Sequence, residues 1–192
     1  MGQIPNRAEA WELLCAHNES EALRRHALAV EAVMRHYAEL MGEDVEKWGA
    51  VGLLHDLDYE KYPDQHCDKS AEMLRKEGID EVFIRAVLSH GWGIRTDVEP
   101  IHPMEKVLFA TDELTGLINA AAIMRPSKSV MDLELKSVRK KFKTPSFAAG
   151  VDRGVIEKGA GLMGASVDDL ITQCILAMRK EAEALGLAGT GQ

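Results

Sequence analysis

Apolar residues recur at spacings of three and four along almost the whole chain, and strand-like alternation is nearly absent, so the sequence predicts a succession of helices. Asn6 and Glu9 suit a capping box for a short first helix carrying Trp11, Leu14 and Cys15. Ser20 caps a second, over about residues 21 to 41, with Leu23, Ala27, Val30, Met34, Tyr37 and Met41 on one stripe and Gly42 as its stop. Asp44 opens a third that runs through Trp48 and Val51 to His55, after which DYEKYPDQH reads as a loop broken by Pro63. Gly78 ends a fourth helix, Asp80 starts a fifth that ends near His90, and Pro103 stands in the first turn of a sixth that holds Asp112. RPSKS, a basic helical stretch to about Lys141, a small helix over about 152 to 163 and a last helix capped by Ser166 and Asp169 complete the chain. The expectation is an all-α, single-domain helical bundle over 1–187, with 188–192 a disordered tail.

Several polar residues fall on the inward stripes of these helices. His26 lies three after Leu23 and four before Val30, and His55 lies seven after Trp48 and four after Val51. His90 follows Val87 by three, and Asp112 follows Leu108 by four, so both also face inward. Enclosed carboxylates cost several kcal/mol unless paired or bound to a cation, and Asp56 and Asp112 among inward histidines ask for a compensating charge. A divalent metal supplies it, and mixed imidazole and carboxylate donors suit Mn, Fe, Co, Ni or Zn.

Composition narrows the class. A chain of 192 residues with 46% apolar and 28% charged residues suits one soluble globular domain. The formal charge of −8 argues against an extended nucleic-acid track. Cys15, Cys67 and Cys174 show no C-x-x-C pair, which fits a reducing, cytoplasmic setting. The amino terminus lacks the apolar stretch of a signal peptide, Asn6 breaks the myristoylation pattern, and no apolar run is long enough for a membrane span. A homo-oligomer is compatible with all of this.

The order His26, LLHD at 53 to 56 and TDEL at 111 to 114 resembles the His, His-Asp, Asp signature of the HD-domain superfamily of metal-dependent phosphohydrolases. That resemblance implies an HD-type helical bundle in which His26, His55, Asp56 and Asp112 hold a metal. It also makes His66 and His90 candidates for a second ion, with Asp56 bridging the two. The segments HDLDYEKYP, SHGW, DELTGL and RPSKS are similar to an HDIG-type subfamily of hydrolases, although HDLD carries Asp58 where that motif has glycine. The implied reaction is hydrolysis of a small phosphate ester, a nucleotide or related compound, by metal-activated water. A di-iron oxygenase and a non-catalytic nucleotide-binding module are the alternatives.

Within that frame Asp58 and Glu60 are candidates for proton transfer. Lys61 and Lys69 are candidates for phosphate contact, the alternative being solvated loop and helix lysines. Arg125, Ser127 and Lys128 in RPSKS form a candidate anion site, a capped helix start explaining Ser127 equally well. Trp92 is a candidate wall or base-stacking residue, with rim packing as its alternative.

Overall fold

The computed structural model describes residues 2–189, and the helices follow from their caps and stripes. α1 (Arg7–His17) opens on the Asn6/Glu9 capping box, and α2 (Glu21–Met41) runs from the Ser20 cap to Gly42 at φ 70°. α3 (Val45–Leu54) starts at the Asp44 cap and ends on His55. α4 (Asp68–Lys76) follows a short 3-10 turn at Pro63–Gln65, and Gly78 at φ 72° lies two residues past its end. α5 (Glu81–Leu88), α6 (Pro103–Ile123), α7 (Leu135–Phe142), α8 (Arg153–Met163) and α9 (Val167–Lys180) complete the order. Among the described residues there is no strand beyond isolated bridges, and the chain is an all-helical single domain. No single helix among them is long and apolar enough to cross a membrane.

The fifth helix stops earlier than the periodicity suggests. It ends at Leu88 and gives way to a 3-10 turn over Ser89–Gly91. The Ser89 hydroxyl donates to Ala86 O and the His90 ring to Val87 O, so side chains take up the last carbonyls. Met41, expected on the buried stripe of α2, is exposed in the last turn before Gly42. Of the expected disordered tail, residues 190–192 lie outside the described residues, while Ala188 forms a bridge with Ser129.

α2 packs against α3, α6 and α9, and α8 and α9 pack against α6. Val30, Met34, Trp48, Leu53, Leu54, Phe83, Leu108 and Leu114 are fully buried between them. The α2 and α3 backbones approach at Gly52, where a Cβ would lie 3.0 Å from the Cα of Glu31. α6 and α8 meet still more closely at Gly159, where a Cβ would lie 2.4 Å from the Cα of Ala110. Backbone cannot yield there as a flexible side chain would. Gly159→Ala is therefore expected to destabilise the fold by roughly 1–3 kcal/mol, read as a melting temperature several degrees lower. An unchanged melting curve would show that the two helices part freely.

Candidate metal centre

Three helices converge on one point. α2 presents His26 from its inward stripe, the carboxyl end of α3 presents His55 and Asp56, and the middle of α6 presents Asp112. His26 Nε2 lies 2.9 Å from Asp112 Oδ1 and 3.2 Å from His55 Nε2. His55 Nε2 lies 3.3 Å from Asp112 Oδ1, and Asp56 Oδ2 is 3.4 Å from His55 Nε2 and 3.7 Å from His26 Nε2. Beside this group stands a second. His66 Nε2 and His90 Nε2 are 3.0 Å apart, and Asp56 Oδ1 lies 3.4 and 3.5 Å from them. One carboxylate thus turns one oxygen to each imidazole pair.

The backs of the rings fix their fronts. His55 Nδ1 is 2.8 Å from Gly52 O and His90 Nδ1 is 2.5 Å from Val87 O. A carbonyl only accepts, so Nδ1 carries the proton on both rings and the neutral ring offers the Nε2 lone pair to the centre. His66 is held by a carboxylate instead: its Nδ1 lies 2.7 Å from Asp58 Oδ1, while Asp58 Oδ2 accepts from Ser70 N at 2.9 Å. Ring nitrogens facing one another at about hydrogen-bond distance, with carboxylate oxygens among them, form a donor set that fits divalent cations.

The electrostatics of the metal-free cluster agree. Burial alone would depress the His55 imidazolium, but Asp56 and Asp112 push it up to about 10. Burial also works against His66, and the bond to Asp58 raises it to about 9 all the same. His90 is raised well above its ordinary value, against its burial, chiefly by Asp56. Burial would lift Asp56 and Asp112, yet His55 outweighs it and holds both well below the usual carboxylate range. Burial would likewise raise the Cys67 thiol, which His66 and His90 instead lower to about 7. Without metal, protons occupy the positions that a cation would take.

The centre forms the floor of a cleft of about 270 Å³. Tyr59, Ile94, Phe109, Val151 and Val155 supply apolar wall, Arg95 a cation, and Glu113 a carboxylate. Burial, and secondarily Asp112, push the Glu113 carboxyl up to about 6, and one of its oxygens accepts from Asp152 N at 3.2 Å.

The structure brings together His26, His55, Asp56, Asp112, His66 and His90, and it sets the other candidates apart. Asp58 is fully buried with both oxygens committed, so it positions His66 and does not reach the cleft for proton transfer. Glu60 accepts from Glu19 N and Ser20 N, closing the entry to α2. Lys61 donates to Ala16 O near the end of α1, and Lys69 pairs with Glu72 at 2.6 Å. Arg125 and Ser127 both bind Asp132, stapling their own loop, and Lys128 sits in that loop at φ 48°. The loop begins beyond the end of α6, about 16 Å along the helix from Asp112 by the helical rise of about 1.5 Å per residue. Trp92 packs on Phe109 with ring centroids 5.6 Å apart, under Lys158 Nζ at 3.3 Å from its ring, and is absent from the cleft lining.

Sequence reasoning missed Arg95 and Glu113. Glu113 stands inside TDEL, where the helical phase of Asp112 places it on the edge of the same stripe. Arg95 lies in a non-repeating turn after the 3-10 segment and carries no periodic signal.

Asp58→Asn tests the positioning role. The amide has no charge and one acceptor oxygen, so it cannot accept from both His66 Nδ1 and Ser70 N, and affinity for the second ion is expected to fall about 10- to 100-fold, with the first ion retained. Metal titration followed by elemental analysis reads this, and equal loss of both ions would contradict it.

An all-helical domain that gathers His, His-Asp and Asp donors from three helices under a cleft defines a class of helical His/Asp metal-centre proteins. The profile of the family described as HD domain matches residues 23–117, just under half of the chain. All six convergent residues fall inside it. No curated protein and no solved structure matches the chain.

Proposed function

We propose that this protein is a metal-dependent phosphohydrolase of the HDIG type that acts on a small phosphate ester, a nucleotide or related compound. The supporting observation is the bridging position of Asp56, one oxygen toward each imidazole pair, on the floor of a cleft whose described lining includes the cation Arg95. Divalent ions held by His26, His55, Asp56 and Asp112, and by His66 and His90 with Asp56, would polarise a phosphoryl oxygen and supply activated water at neutral pH. Arg95 binds the remaining phosphate oxygens, for which its planar fork is suited. Tyr59, Ile94 and Phe109 exclude water from the reacting end and cover an apolar or aromatic substituent. Glu113, tethered through one oxygen, uses the other to hand a proton to the leaving group. The unpaired Cys15, Cys67 and Cys174 suit a reducing cytoplasm.

The test is phosphate release from a panel of phosphomonoesters, phosphodiesters and nucleotides, using metal-defined samples. A metal-replete preparation that leaves the whole panel untouched rejects the reading. The place of His66 in a second cluster favours one rival, oxygen chemistry at a di-iron pair: dioxygen uptake by the iron-loaded protein without phosphate release would install it. Stoichiometric nucleotide binding without product would install a non-catalytic module instead. Arg95→Ala is expected to lower kcat/KM for the phosphate substrate about 10- to 100-fold, the worth of one or two charged hydrogen bonds, with metal content unchanged. A variant of wild-type kinetics would remove Arg95 from the substrate contacts.

A further inference from the structure

Cys67 has no part in the reaction proposed above, yet its surroundings are specific. It is fully buried, it precedes the first turn of α4, and its backbone stands at φ 74°, a left-handed conformation that a residue with a Cβ adopts only at a cost. Its Sγ lies 4.0 Å from His90 Nε2. His66, Cys67 and His90 each place a ligand atom within 4.8 Å of the others. Gly91 leaves room for the sulfur, since a Cβ there would lie 2.8 Å from Sγ. The turn that carries His90 is thus shaped around the thiol. Asp56 lines the cleft and places Oδ1 3.4 and 3.5 Å from the two imidazoles, while Cys67 is not among the residues that line it. A small apolar filler would need neither the left-handed backbone nor two imidazoles beside it.

We propose that Cys67 is a thiolate ligand of the ion held by His66 and His90, and that this position therefore takes a thiophilic metal such as zinc or cobalt(II) in preference to manganese or magnesium. Soft sulfur donors select such ions, while hard oxygen-rich shells select the others. Binding breaks the S–H bond and forms the S–metal bond, with the proton passing to solvent. The inference rests on the two clusters being a metal centre and is independent of the reaction catalysed there.

The experiment titrates metal-stripped full-length protein with cobalt(II). Wild type is expected to develop a thiolate-to-cobalt charge-transfer band in the near ultraviolet, which added zinc abolishes. Cys67→Ser, nearly the same size, is expected to keep the visible cobalt bands and lose the charge-transfer band. A Cys15→Ser/Cys174→Ser double variant is expected to retain it, and this leaves the idea testable should Cys67→Ser fail to fold. Two equivalents of cobalt bound by wild type with no such band, or a band undiminished in Cys67→Ser, overturns the assignment. Phosphate release measured on the same samples separates the two ideas: a band without turnover upholds the ligand and rejects the reaction, and turnover by a two-cobalt protein without a band does the reverse.

Discussion

Asp56→Ala is expected to empty both clusters together and to abolish turnover. Its two oxygens face the two imidazole pairs at 3.4 to 3.7 Å, so no other single change removes a donor from each. Loss of the ions that stabilise a developing phosphoryl charge is expected to cost about 4 kcal/mol or more, about 10³-fold in kcat/KM. Asp112→Ala is the matched comparison, because its carboxylate touches only His26 and His55. It should lose the first ion and keep the second. Metal content by elemental analysis and phosphate release check both variants; an Asp56→Ala protein that retains metal and activity would refute the bridging assignment.

The second large effect is a pH dependence of stability that appears on metal removal. In the metal-free protein His55 titrates at about 10 and His66 at about 9, both above the ordinary value of 6.5. A raised histidine stabilises the fold fully below the unfolded value and loses that contribution as pH climbs through the folded one. Metal-free protein should accordingly lose stability between pH 6.5 and 10, on the order of 3 kcal/mol from His66 alone at 1.36 kcal/mol per pKa unit. The metal-loaded protein has exchanged those protons for ions and should hold its melting temperature across the same interval, while metal affinity rises with pH. Thermal melts with and without chelator at pH 6.5, 8 and 9.5 check this. Parallel declines in the two samples would show that the imidazoles are not the titrating groups.

Helix existence and most helix ends were legible because caps and glycines act locally: Asn6 with Glu9, Ser20, Asp44 and Ser166 each bind their own first turn. The inward polar residues were legible for the same kind of reason, since helical phase alone places His26 and Asp112 beside buried leucines and valines. Phase says nothing about loops. Asp58 stands where an HDIG motif has glycine, and only the packed turn shows that its carboxylate braces His66. RPSKS offered cations beside a helix, and only the tertiary structure reveals Asp132 taking two of its side chains. Arg95 was invisible because its location in the cleft comes from the path of an irregular turn.

The ligands come from the first two thirds of the chain, whereas Val151 and Val155 bring a wall of the cleft from the start of α8 and the turn before it. One wall of the cleft is thereby written apart from the donors, while Tyr59, Ile94, Arg95 and Phe109 lie among them in the sequence. Changes confined to residues 144 to 156 can reshape that wall of the cleft while every candidate metal donor stays where it is.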